Sequence, residues 1–146
     1  MSIYVAVVGA SKASESELAD AEAVGRLLAQ AGAILVCGGR GGVMAAASKG
    51  AAQAGGTVIG MLPGLDRSDA NAWVTIAIPT GLGELRNGLI VRTADVMIAV
   101  GGAYGTLSEV ALGLQAGVKV YGLSTWEIHG IEQVSSPAEA VSRALG

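Results

Sequence analysis

The chain has 146 residues, enough for one domain with a sizeable core. Hydrophobic residues make up 51% and charged residues 14%, which excludes a disordered chain. A net charge of −3 without a Lys/Arg run argues against nucleic acid as a partner, and one cysteine and one histidine exclude a disulfide framework and a zinc cluster. No apolar run approaches the ~18 residues of a membrane span, so no membrane partner is expected either.

Residues 3–8 form an apolar, β-rich run directly after Met1. With no basic segment or cleavage site around it, this run reads as a first strand and not as a signal peptide. The lone Cys37 then fits a reducing, cytoplasmic location. Ser14-Glu15-Ser16-Glu17 has the form of a capping box opening a helix, with Leu18, Ala21, Gly25, Leu28 and Ala31 on one face. Residues 34–36 are a second strand. Residues 43–54 are an alanine-rich helix with little bulk on any side, which should pack close to its neighbour. Residues 57–61 are a third strand, followed by a loop over 62–73 that carries Pro63-Gly64 and the charges Asp66, Arg67 and Asp69. A fourth strand at 74–78 is closed by Pro79, and a short helix spans 84–92. The fifth strand is 96–100, and the helix 106–116 is stopped by Gly117. The sixth strand is 118–123, with a short edge strand at 131–134. Ser136-Pro137 supplies an N-cap and first-turn proline for a last helix over 138–145.

Strands alternating with helices across short loops predict an α/β fold over residues 1–146, a single nucleotide-binding, Rossmann-like, doubly wound parallel sheet. The expected strand order is 3-2-1-4-5-6, with a ligand crevice at the carboxyl ends of the first and fourth strands. Glycine is the outlying residue, 23 of 146, or about 16% against an average near 7%. Much of it falls in four loops that follow strands and precede helices. These are Gly9-Ala10-Ser11, Gly38-Gly39-Arg40-Gly41-Gly42, Thr80-Gly81-Leu82-Gly83 and Gly101-Gly102-Ala103-Tyr104-Gly105-Thr106. Exposed N–H groups and the positive end of a helix make such loops anion sites, and glycine lets the backbone approach the ligand. One such loop could be no more than a tight turn; four at one sheet edge point to a phosphorylated, nucleotide-like ligand. The dinucleotide spacing G-x-G-x-x-G and the P-loop pattern are both missing, which argues against a dehydrogenase or a P-loop NTPase.

Residues 101–109, Gly-Gly-Ala-Tyr-Gly-Thr-Leu-Ser-Glu, resemble the P-G-G-x-G-T-x-x-E motif of the Lonely Guy (LOG) phosphoribohydrolases, often mislabelled lysine decarboxylases. Arg86 and Asp95 match the spacing of that family's arginine and strand aspartate. A compact branch of this superfamily, which includes molybdenum-cofactor carrier proteins, is more similar still. Its C-G-G-R-G-G-V-M, L-P-G-x-D-R-S, G-x-G-x-x-R-N and G-G-x-Y-G-T-L-S-E elements stand in order at 37–44, 62–68, 81–87 and 101–109. The resemblance implies a carrier or sensor of a phosphorylated ligand, with a bound nucleotide or a molybdopterin-type cofactor as candidates, no required cofactor and no metal. The alternative it implies is an enzyme that hydrolyses the N-glycosidic bond of nucleoside 5′-monophosphates. It also implies a homo-oligomer, a dimer or tetramer.

By the same resemblance Arg86 and Glu109 are the catalytic pair. Glu109 would stabilise an oxocarbenium-like state or activate water, and Arg86 would hold the phosphate or ribose. The expected phosphate-binding residues are Gly9, Ser11, Gly38, Gly39, Arg40, Gly41, Gly42, Thr80, Gly81, Gly102, Ala103, Tyr104, Gly105 and Thr106. Thr106-Leu107-Ser108-Glu109 also has the form of a capping box, which leaves a purely structural role open for Glu109. Four positions depart from the hydrolytic pattern. Gly101 replaces its proline, Ala103 a glycine, Leu85 a glutamate and Asn87 a lysine. The last two remove charge beside Arg86 and leave the phosphate-binding frame intact. Lys12, Lys49 and Lys119 have no cofactor-anchoring context, so a lysine decarboxylase is rejected. Cys37 reads as a packing residue, Asp95 as a structural anchor, and Trp73 and Trp126 as packing or subunit-contact residues.

Overall fold

Seven parallel strands form the centre of the protein, in the order β4-β3-β2-β1-β5-β6-β7. A computed structural model describes residues 2–146. In chain order the elements are β1 (Tyr4–Gly9), α1 (Glu15–Gln30), β2 (Ile34–Cys37), α2 (Val43–Gln53), β3 (Val58–Leu62), β4 (Ile76–Pro79), α3 (Asn87–Thr93), β5 (Val96–Val100), α4 (Tyr104–Gln115), β6 (Lys119–Leu123), β7 (Ile131–Val134) and α5 (Pro137–Leu145). Single 3-10 turns stand at Arg67–Asp69 and Gly83–Arg86.

Because both faces of the sheet are covered, the central strands read as unbroken apolar runs. Val5, Val7, Leu35, Ile98 and Val100 face α1, α2 and α5, while Ala6, Val8, Val36, Met97 and Ala99 face α3 and α4. α1 and α2 pack in close backbone contact. A Cβ built on Gly25 would lie 2.0 Å from the Ala47 carbonyl oxygen, and one on Gly50 would lie 2.0 Å from that of Glu22. The small residues of α2 therefore pack within the chain, backbone against backbone.

The expected helix ends are present. The Ser14 hydroxyl accepts from the Glu17 N–H at 3.2 Å, and the Glu17 carboxylate accepts from the Ser14 N–H at 2.9 Å. Ser136 caps α5 with Pro137 in its first turn. Ser14→Ala should lower the free energy of unfolding by about 1 kcal/mol, read from the midpoint of a urea titration at unchanged slope.

The class is as predicted, but the strand order is not. The fourth strand does not pair with the first. It lies at the sheet edge against β3, with Ile59 opposite Ile76 and Leu62 opposite Pro79. β5 takes the place beside β1, with Val5 opposite Val96. The β3–β4 connection contains one 3-10 turn and no helix, so it lays β4 down next to its predecessor. The crossover to the other side of β1 falls to α3, whose Ile90 and Val91 are buried under the sheet. Half-exposed Ile76 and the terminal Pro79 are what an edge strand tolerates. The switch point, and with it the crevice, lies between β1 and β5. The expected 84–92 helix is split into a 3-10 turn and α3.

Candidate functional site

The loops after β1 and β5 flank this switch point. Between them lies a pocket of about 410 Å³. It gathers Gly9, Ser11, Arg86, Ala103, Gly105, Thr106 and Glu109 from the expected set.

The β5–α4 loop makes its turn through two glycines, with φ +57° at Gly101 and +124° at Gly102. Proline, locked near φ −65°, cannot occupy position 101 in this conformation, which explains why the hydrolytic pattern's proline is not there. The loop is tied from one side. The Gly101 N–H donates to the Leu123 carbonyl at 2.9 Å, Thr125 Oγ1 donates to the Gly101 carbonyl at 2.5 Å, and Trp126 Nε1 donates to the Ala103 carbonyl at 3.2 Å. Trp126 is thus a strut for the loop.

α4 begins at Tyr104, two residues earlier than the expected start, with extended Ala103 as an N-cap that has no side chain to offer. Its first helical hydrogen bond runs from the Leu107 N–H to the Ala103 carbonyl, 3.0 Å. The N–H groups of Tyr104, Gly105 and Thr106 are left without helical acceptors. Thr106 is in the first turn and Glu109 is one turn further along the same face, so the capping box considered for residues 106–109 does not form. Thr106 is 2% exposed, and its hydroxyl has no hydrogen-bond partner among the described residues. A buried hydroxyl without a partner costs about 1–3 kcal/mol, and this one belongs to a pocket-lining residue in the same first turn as the three N–H groups without helical acceptors.

Glu109 is buried and lines the same pocket, without a hydrogen bond or ion pair among the described residues. Burial pushes its carboxyl up to about 7, against the pull of Arg86 and with a small push from Glu84. Arg86 lines the same pocket but makes no ion pair with Glu109 among the described residues. Its Nε donates to the Met61 carbonyl at 2.8 Å and its Nη1 to Asn87 Oδ1 at 2.5 Å. Asn87, 3% exposed, therefore does positional work that the lysine of the hydrolytic pattern could not do in the same place.

The raised carboxyl of Glu109 carries a stability consequence. Between the ordinary value of 4.5 and about 7, the folded state holds a proton that the unfolded state has lost. Stability therefore falls as pH rises through this window, by about 3 kcal/mol in all, and is unaffected by Glu109 below it. Denaturation from pH 4 to pH 8 should show this decline in wild type, and Glu109→Gln should remove it.

Other expected residues serve the frame. Gly42 opens α2 pressed against the β1 loop, and the Val43 N–H donates to the Ala10 carbonyl at 3.1 Å. Gly38 backs the Arg86 guanidinium. Asn71 ties the Gly39 and Arg40 carbonyls at 2.8 and 2.9 Å, leaving the Arg40 side chain exposed, and Gly41 stands in open space. Thr80 and Gly81 are not brought to the pocket. Thr80 Oγ1 donates to the Leu62 carbonyl at 2.7 Å and the Gly81 N–H to the Gly64 carbonyl at 2.8 Å, which makes a turn at the edge strand. Tyr104 is 82% exposed, with its ring 6.1 Å from that of Trp126. Asp95 anchors the sheet's opposite end by accepting from the Tyr4 N–H at 2.9 Å. Cys37 is fully buried, with burial pushing its thiol up.

Lys12, Met44, Glu84 and Asn87 also line the pocket, and none of them is among the expected site residues. Lys12 follows Ser11 in a glycine-bearing loop after a strand, and that position was its signal. A wider, shallow groove of about 910 Å³ continues from Ser11 and Lys12 along α1 and α2, past the Lys49–Glu22 ion pair (3.3 Å) to the rim at Trp73. Among the described residues no cluster of side chains suits a metal ion, and no helix is long and apolar enough to cross a membrane.

The model of the SLOG cluster4 family matches residues 2–144. The chain belongs to this family. It is 40% identical over 144 residues to an uncharacterized protein of Archaeoglobus fulgidus, covering 98% of this chain and 95% of the relative. Among solved structures it is similar to the molybdenum cofactor binding protein of Rippkaea orientalis, at 36% identity, 98% and 95% coverage and a TM-score of 0.93. It is also similar to the molybdenum cofactor carrier protein of Chlamydomonas reinhardtii, at 34% identity, 99% coverage of each chain and a TM-score of 0.88. Both structures share the overall fold that in this chain places the β1 and β5 loops side by side.

Proposed function

We propose that the protein is a carrier of a phosphorylated, molybdopterin-type cofactor. The observation that carries this reading is the orphaned Thr106 hydroxyl beneath the uncapped start of α4. That arrangement suits the terminal phosphate of such a ligand, since three N–H groups without helical acceptors and a hydroxyl share the first turn of α4, where the helix end is positive. Lys12 lies on the same pocket wall and adds charge. The heterocyclic remainder would extend across Ser11 and Lys12 into the groove along α1 and α2. The likeness to molybdenum-cofactor carriers supports the choice of ligand. The fully buried thiol of Cys37 would not take part in holding the metal.

The test is retention of cargo. Purified protein mixed with the cofactor released from a molybdoenzyme should carry it through gel filtration, read as oxidised-pterin fluorescence and molybdenum content. Thr106→Val should lose it. Absence of both signals from the wild-type peak sinks the proposal.

The second reading is a phosphoribohydrolase. It is favoured by one observation, a carboxyl near 7 in the same pocket as Arg86, which suits acid–base work. Nucleoside 5′-monophosphates would then yield free base and ribose 5-phosphate, and Glu109→Ala would abolish the turnover. In the homo-oligomer that the resemblance implies, exposed Leu85, Leu89 and Leu112 would be the apolar residues to bury, which sedimentation equilibrium can test.

A further inference from the structure

We propose that Glu109 enters the complex as the neutral acid and donates a hydrogen bond to the bound oxyanion, so that the site takes up one proton with each ligand. This rests on the α4 N-terminus being the oxyanion site, and adds a fourth kind of donor to it.

The geometry leads there by elimination. Glu109 lies one helical turn beyond Thr106 on the same face of α4, and both side chains line the pocket. An ionised Glu109 would face the bound anion as a like charge in a confined space. Such pairs are strongly unfavourable unless a cation lies between them or one partner takes a proton. Two cations, Arg86 and Lys12, line the same pocket, but neither is paired with Glu109 among the described residues. From the turn before α3, Arg86 keeps its positive charge but commits its Nε to Met61 and its Nη1 to Asn87, so its pull on Glu109 is outweighed by burial, while Glu84 adds another negative charge. From β2, buried Cys37 is a neutral thiol. From the β1–α1 loop, Lys12 lines the pocket without an ion pair to Glu109 among the described residues. Protonation removes the repulsion and turns an acceptor-only group into a donor. The proton comes from solvent and stays on the carboxyl oxygen as its hydrogen bond to the ligand forms. No covalent bond is made or broken apart from that O–H.

The ligand class follows. The site favours fully ionised oxyanions that offer only acceptors, such as sulfate or a dianionic phosphate monoester, and disfavours ligands whose own protons would face the carboxylic acid. Binding would weaken as pH rises above 7, which makes the proton a lever for release.

Sodium sulfate is the probe, because it does not itself titrate in the working range. Calorimetric titrations of the wild-type protein at pH 8, in two buffers of different ionisation enthalpy, should show nearly one proton taken up per sulfate. The affinity should fall about tenfold per pH unit above pH 7 and level off below pH 6. Glu109→Gln, which keeps a donor and cannot ionise, should bind with pH-independent affinity. Sulfate bound equally well from pH 5.5 to pH 8.5 without proton uptake would overturn the role of Glu109 and leave the anion site standing. No binding of sulfate at any pH would overturn the anion site, and with it the carrier reading. The proton count is made on wild-type protein, so the test does not depend on the variant folding.

Discussion

Thr106→Val should make the protein more stable and its ligand weaker at once. Valine has nearly the shape of threonine and no hydroxyl, so it removes the one buried side-chain oxygen that lacks a partner among the described residues. Relief of that unmet hydrogen bond should raise stability by about 1–3 kcal/mol, or about 2–12 °C in melting temperature for a chain of this length. The same change takes a donor from the oxyanion. A hydrogen bond to a charged group contributes about 1.5–3 kcal/mol, so sulfate affinity should fall about 10- to 100-fold. Scanning calorimetry and a sulfate titration on one preparation read both effects. A variant that is destabilised and binds normally would show that the hydroxyl serves the fold and not the ligand.

The largest loss of stability is expected from adding a single methyl group at Gly25. The alanine Cβ would lie 2.0 Å from the Ala47 carbonyl oxygen and 2.8 Å from its carbon. Both are backbone atoms of α2, so no side chain can swing aside, and α1 and α2 must separate along their length. The gain in helix propensity, about 1 kcal/mol, does not offset this. Gly25→Ala should cost about 3 kcal/mol or more and lower the melting temperature by about 6–12 °C. Gly88→Ala is the control. Its Cβ would meet open space inside α3, and it should be neutral or stabilising by up to about 1 kcal/mol. Equal effects at the two positions would show that loss of glycine in general, and not the helix contact, is responsible.

The two positions also show where sequence reading succeeds and fails. Gly25 was legible as part of a small-residue face, and the alanine-rich helix as one that packs closely; which backbone atom stands against it was not. The glycine loops at 9–11 and 101–106 were legible as neighbours at one sheet edge because strand, glycine and helix follow in order, and each of those signals is local. The loop at Thr80–Gly81 carried the same signals. It fell away from the site because its strand was laid at the far edge of the sheet.

Local physics in the chain was enough to set the α/β class, the seven strands with their apolar runs, and the caps at Ser14 and Ser136. Alternation, capping and glycine content act between residues close in sequence, and each can be read in place. Strand order could not be read that way. It depends on whether a helix is available to carry the chain across the sheet, and the β3–β4 connection had none. The switch point moved to β1 and β5 for that reason. The state of Glu109 was equally out of reach. The motif allowed a cap or a catalytic carboxylate. Only the start of α4 at Tyr104, the diversion of Arg86 to Met61 and Asn87, and burial of the carboxyl settle its surroundings. These are contacts between residues up to 25 positions apart, and they exist only once the sheet has closed over them.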